Sequence, residues 1–177
     1  MDYKVIIVGA GPAGIFAAMT LADFGIKGIL LLEQGKDLSK RERQNPEDRL
    51  CGWGGAGAFS DGKLTLSTEV GGVLKDFMEE GPLYELLKDT DEIYAANGAP
   101  DRIFGKSSPQ LEELADRARM ADLELLPNRI RHIGTDNCQA VLESFKKSLV
   151  GRVDIHTESE VKELIADHGS IQGVKLA

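Results

Sequence analysis

The chain is poor in cysteine, lacks a block of basic residues and holds no long apolar run, and each shortage removes a class of protein. Its two cysteines, Cys51 and Cys138, stand far apart in the 177 residues and form neither a CxxC pair nor a metal-ligand set. That usage excludes a disulfide-stapled scaffold and fits buried thiols in a reduced compartment. Lys and Arg number 21 against 29 Asp and Glu, for a formal net charge of -8. An acidic chain without a basic stripe is a poor partner for nucleic acid or an anionic membrane, so neither is expected. It remains open to an anionic cofactor, because backbone N–H groups bind phosphate without a net positive charge. The apolar stretches Tyr3–Val8 and Gly28–Leu32 are far too short to cross a bilayer. Tyr3–Val8 is also too short for a signal-peptide core and runs into a glycine turn. The cytoplasm is the expected location. Internal repeats and low-complexity tracts are lacking as well.

What remains is ordinary globular material, long enough for one domain with a sizeable core but short for a cofactor domain plus a complete substrate domain. Tyr3–Val8 is a continuous β-branched run, the pattern of a strand buried on both faces. Three glycines follow within Gly9–Gly14, and from Ile15 to Phe24 the apolar spacing turns helical, with Gly25 as the stop. Gly28–Glu33 reads as a second buried strand. Strand, glycine turn, helix and strand in about 30 residues make a βαβ unit with a right-handed crossover.

Gly9-Ala10-Gly11-Pro12-Ala13-Gly14 is GxGxxG. On its own the pattern is weak, but here the preceding strand, the following helix and an acid about 20 residues on, Glu33, are all in register. Gly9 permits the turn out of the strand, Gly11 lets a pyrophosphate approach the backbone, and Gly14 lets helix and strand pack closely. The pyrophosphate then meets free N–H groups at the helix N-terminus. The Glu33 carboxylate is placed to accept hydrogen bonds from the adenosine ribose and repels a 2′-phosphate, which argues against NADPH at this site. The turn serves FAD and NAD alike. The N-terminal position of the motif and a second glycine cluster, Leu50–Lys63 with Gly52, Gly54, Gly55, Gly57 and Gly62, favour FAD.

Later segments are less explicit. Residues 71–126 read as mainly helical, with helix starts at Gly81-Pro82 and Ser108-Pro109 and a turn at Asn97–Pro100. Asp136 and Gln139 fit a capping box ahead of a helix whose apolar face is Cys138, Val141, Leu142, Phe145 and Leu149. Arg152–Thr157 reads as a third strand, and Glu160–Ala166 with Ser170–Leu176 as a hairpin across Asp167-His168-Gly169.

The stretches GAGPAGIFAA…LLE and CGWGGAGAFSDGKL resemble the FAD-binding fold of the glutathione-reductase-like flavoprotein superfamily. More narrowly, Gly54–Leu64, Arg131–Asp136 and Tyr94…Gly98-Ala99-Pro100 are similar to the bacterial and archaeal FAD-dependent dehydrogenases. The resemblance implies that Gly9, Ala10, Gly11, Pro12, Ala13 and Gly14 meet the pyrophosphate and Glu33 the ribose. It implies Gln34 near the adenosine, Gly54 and Gly55 close to the pyrophosphate and flavin, and Val161 against adenine through its backbone. The implied fold class is α/β, a Rossmann-like FAD/NAD(P)-binding fold with a parallel sheet, a mainly helical insertion and the start of a β-meander. The expected division is 1–70 for the βαβ unit and glycine loop, 71–130 for a helical cap, and 131–177 for the return to the sheet.

The implied activity is that of an FAD-dependent oxidoreductase, with a small-molecule substrate or an electron donor such as NAD(P)H as partner. An NAD-linked dehydrogenase domain and a non-catalytic dinucleotide-binding subunit are the alternatives. Flavin performs the redox step itself, so the sequence demands no catalytic side chain. Ser60-Asp61-Gly62-Lys63 is a candidate for polar groups near the flavin, against a simple turn with a solvated lysine. His132 is a candidate proton donor, against a histidine that fixes the loop before the next helix. Arg131 is expected to pair with a carboxylate or the cofactor. Trp53 either stacks near the cofactor or packs. Relatives run well beyond 177 residues, so the chain is expected to be an N-terminal portion. By itself it is expected to be inactive, to hold flavin weakly or not at all although the ADP half of the site can still form, and to dimerise or aggregate through unpaired strand edges at Tyr3–Val8 or Ser170–Leu176.

Overall fold

A computed structural model describes residues 2–177. The chain opens with β1 (Val5–Val8), α1 (Pro12–Asp23), β2 (Ile29–Leu32) and α2 (Pro46–Leu50). It continues through β3 (Lys63–Thr65), α3 (Glu80–Ala96), β4 (Ile103–Phe104), α4 (Pro109–Met120) and β5 (Ile130–His132). It closes with α5 (Thr135–Leu149), β6 (Asp154–His156), β7 (Val161–Asp167) and β8 (Ser170–Leu176). These elements form two compact units: the chain up to Ser60 together with Thr135–Ala177, and Asp61–Gly134.

The first unit is built on a parallel sheet in the order β1-β2-β6. All four residues of β2 are buried, as a central strand requires. β1 departs from the expectation of burial on both faces: it stands at the sheet edge, its residues are half-buried, and Val8 is exposed. An apolar run marks a strand but not its place in the strand order, which is set by pairing far along the chain. α1 buries Ile15, Ala18 and Ala22, and packs on β1 and β2. It ends as expected, with Gly25 N–H donating to Ala22 O and Ile26 N–H to Leu21 O, the paired bonds of a Schellman stop.

α5 buries the five residues its period selects, Cys138, Val141, Leu142, Phe145 and Leu149. Its Phe145 ring meets Phe16 of α1 edge to face, 5.7 Å between centroids. The helix begins at Thr135, so Asp136 lies inside the first turn rather than at the expected cap. There its charge favours the positive end of the helix dipole. β7 and β8 form the expected antiparallel hairpin, with left-handed His168 and Gly169 at the turn.

The second unit takes in Asp61–Val70 as well as the segment expected as an insertion, because β3 pairs with β5. It is less helical than its sequence suggests: α3 and α4 accompany an antiparallel sheet in the order β3-β5-β4. Strands of two or three residues carry too few positions to display a period of two, so this sheet left no sequence signature. The α4 start is as read, with Ser108 Oγ accepting the Leu111 N–H and Pro109 in the first turn. α3 starts one residue before the expected Gly81-Pro82.

Candidate functional site

The site is built at the carboxyl ends of β1 and β2, where the glycine turn, the loop after β2 and the second glycine cluster meet. Gly9 leaves β1 with φ +101°, a conformation that excludes most side chains. Gly14 sits so close to the turn that a Cβ would lie 1.9 Å from Gly9 O. Gly11 is different: its φ is an ordinary -74° and nothing stands within 4 Å of where its Cβ would be. The space above Gly11 is therefore open, while Gly14 is closed by packing. Gly11 caps α1 without a side-chain bond and Pro12 carries no N–H. The N–H groups of Ala13 and Gly14 lie in the first turn, where the helix itself supplies no acceptor.

Glu33 is buried, at 6% exposure, and is the hub of the three loops. One carboxylate oxygen accepts the Ala10 N–H at 2.7 Å, and the other accepts Gly35 N–H at 2.8 Å and Gly52 N–H at 2.9 Å. A carboxylate offers about four lone-pair directions, so three backbone donors leave room for one more. The residue expected to meet a ribose is thus committed first to fastening the turn, the post-β2 loop and the glycine cluster together.

The glycine cluster lies against the turn. Gly54 N–H donates to Ala10 O at 2.8 Å, and a Cβ on Gly55 would come within 3.3 Å of Gly11 Cα. Gly54 has φ +86°, and a Cβ there would lie 2.4 Å from the Leu142 side chain. Trp53 packs rather than presents itself: it is fully buried and its indole N–H donates to Leu142 O at 3.0 Å.

Sequence reasoning missed Arg41 and Asp48, both buried in a stretch that reads as a charged connection. Arg41 Nη1 donates to Trp53 O at 2.5 Å, Nη2 to Gly55 O at 2.9 Å, and Nε to Asp48 O at 2.8 Å. Its guanidinium also lies 5.0 Å from the centre of the Phe59 ring. Burial pushes its pKa below the ordinary arginine value, opposed by the nearby negative charges of Glu33 and Asp48. The Asp48 carboxylate accepts Glu42 N–H at 2.9 Å and Lys36 Nζ at 3.0 Å. Those two bonds, the backbone one first, hold it below the usual carboxylate range, and the same contact raises Lys36. The signal that finds Arg41 is an accounting one: a glycine-rich loop that is neither helix nor strand still needs donors for its buried carbonyls.

Beyond the Glu33 hub opens a pocket of about 850 Å³ lined by Gln34, Lys36, Asp48, Cys51, Glu158 and Glu160. Gln34 Nε2 reaches Cys51 Sγ at 3.2 Å across it. Val161 is the first residue of β7, half-buried and paired with Leu176.

The remaining candidates fall in the second unit. Asp61 and Lys63 form an exposed ion pair at 2.8 Å, which draws the Asp61 carboxyl below its usual range. His132 is exposed at the end of β5, opposite Lys63. Arg131 is buried, its Nε and Nη2 gripping Asp91 at 2.5 and 2.8 Å and its Nη1 donating to Pro100 O. It takes the carboxylate partner that its sequence position left open. Among the described residues, no cluster of His, Cys, Asp and Glu is placed to hold a metal, and no helix is long and apolar enough to cross a membrane.

The first unit is an α/β fold with a parallel sheet and a glycine turn at the carboxyl end of its first strand. Residues 2–47 match the FAD binding domain family, and the cofactor this assigns is FAD. An uncharacterized protein of Clostridium beijerinckii is 34% identical over 171 residues, covering 89% of this chain and 25% of that protein. The chain thus spans about a quarter of the length of the curated relative it matches. A 3-ketosteroid-Δ4-(5α)-dehydrogenase from Rhodococcus jostii superposes with TM-score 0.61 at 16% identity, covering 99% of this chain and 42% of that one. Sdh1 of Mycobacterium smegmatis gives 0.59 at 16% identity, over 99% of this chain and 30% of its own. Glycine oxidase from Bacillus cereus gives 0.51 at 16%, over 99% and 53%. At such identities the likeness establishes the fold alone.

Proposed function

We propose that this chain is the cofactor-holding portion of an FAD-dependent oxidoreductase of the dehydrogenase type, in the glutathione-reductase-like superfamily. The observation that carries the reading is the contrast within one turn: Gly14 is closed by Gly9 O, while Gly11 faces open space beside uncapped helix N–H groups. Packing explains the first glycine but not the second; a phosphate approaching the backbone explains it. When bound, FAD supplies the electron-accepting isoalloxazine. The chain's own residues fasten the phosphate turn through Glu33, keep a 2′-phosphate out with that carboxylate, and line the adenosine side with Gln34, Gly35 and Val161. A small-molecule substrate and a donor such as NAD(P)H are the partners this reading proposes.

The test is a visible absorption spectrum of the purified chain followed by calorimetric titration with FAD and NAD. The reading expects a yellow protein, or saturable binding of FAD and none of NAD. Binding of NAD without FAD would assign the turn to an NAD-linked dehydrogenase instead.

A further inference from the structure

We propose that Arg41 is the positioning residue of the cofactor site, its guanidinium fork holding Gly52–Gly55 against the phosphate turn so that the FAD pyrophosphate meets a preformed cradle. The inference rests on the FAD reading above and adds a residue that the fingerprint does not contain.

The loop's backbone groups show why such a residue is needed. Gly52–Gly55 is neither helix nor strand up to Gly54, yet it is packed beneath Leu142 and beside Gly11. Its N–H groups go to fixed acceptors: Gly52 to Glu33, Trp53 to Lys36 O, Gly54 to Ala10 O and Gly55 to Gly52 O. The carbonyls of Trp53 and Gly55 go to one side chain, Arg41. Glu33 thus grips the loop by an N–H at its start, and Arg41 grips it by carbonyls at its middle and end. The two buried residues carry opposite charges, so each lessens the other's cost of burial.

Only a planar fork does this. Nε and Nη2 both reach Asp48 O, at 2.8 and 2.5 Å, which fixes the plane of the guanidinium; Nη1 and Nη2 then point at Trp53 O and Gly55 O. A lysine in the same place keeps the charge but is a point donor on a flexible stem, and cannot span carbonyls that need separate nitrogens. Among the bonds described for Arg41, all acceptors are carbonyls. Its charge is therefore left unneutralised by a direct carboxylate contact beside a turn built to receive phosphate.

The test compares wild-type chain with Arg41→Lys by amide hydrogen exchange and FAD titration. In the wild type, the Gly52–Gly55 amides are protected in line with β2. In Arg41→Lys they exchange faster while Ile29–Leu32 are unchanged, and FAD affinity falls on the order of tenfold, the cost of ordering a loop that was previously held. A role in stability alone would speed exchange everywhere and leave affinity in the folded fraction intact. Unprotected loop amides in the wild type, or a lysine variant with wild-type loop exchange and affinity, would overturn the assignment whether or not other Arg41 variants fold. A wild-type chain with a protected loop that takes neither FAD nor ADP would instead sink the cofactor reading on which the assignment rests.

Discussion

The two units bury one long arginine network each and use it differently. In the second unit, Arg131 is neutralised by Asp91, joining β5 to α3. In the first, Arg41 donates to the carbonyls of a glycine loop. Apolar burial is just as uneven: among the described residues, the second unit's buried hydrophobic side chains are Leu83, Ala99 and Ile133, and the rest of the core lies in the first. The first unit is therefore held by packing, which frees its buried cation to shape a loop. The second has little core, and breaking its buried ion pair would leave a charge without a partner there. A buried charge is evidence of function only after asking what else holds the region around it.

The most damaging single substitution is expected in the second unit. Arg131→Met strands Asp91 without its partner and is expected to destabilise that unit by about 3–5 kcal/mol. Thermal unfolding followed by exchange in α3 and β5 reads it, and FAD affinity is expected to stay at the wild-type value. A melting temperature unchanged by the substitution would mean that the small apolar cluster suffices. Next comes Gly14→Ala, whose Cβ would lie 1.9 Å from a backbone oxygen that cannot step aside. Its expected cost is about 1–3 kcal/mol, measured by chemical denaturation.

The smallest effect is acid-dependent and belongs to the first unit. Asp48 is held below its unfolded pKa, and so is Asp37, where burial works upward but the bonds from Lys146 and Ser39 prevail. A depressed carboxylate contributes stability that is complete above its unfolded pKa and is lost as pH falls through the folded one. The unfolding temperature should therefore hold steady above about pH 5 and decline below about pH 4. Asp48→Asn should flatten that decline. A decline of equal steepness in the variant would remove Asp48 from the account.

Much of the first unit was legible because its signals are long or strongly constrained. α1 and α5 repeat at 3.6 residues over three turns or more, β2 is a pure apolar run, and the turn at Gly9–Gly14 has a fixed spacing to Glu33. What escaped was decided by distant contacts. Arg41, Arg43 and Arg49 look alike in a charged stretch, and only the fold chooses which one turns inward. Glu33 was legible as a ribose acceptor but not as the fastener of Ala10, Gly35 and Gly52, because two of those donors come from loops whose approach no local pattern encodes. β1 could be recognised as a strand, but its edge position depends on which strands pair beside it.

If the open space over Gly11 admits a phosphate, Gly11→Ala closes it without disturbing the surrounding packing. The added methyl meets no atom of the protein, and the gain from a stiffer unfolded chain is offset by the poorer helix cap, so stability is expected to stay within about 1 kcal/mol of the wild type. On the proposed reading the methyl stands in the path of the pyrophosphate, so FAD titration of the folded variant should show binding lost while the wild type binds. A stable Gly11→Ala chain that takes FAD as tightly as the wild type would contradict the account.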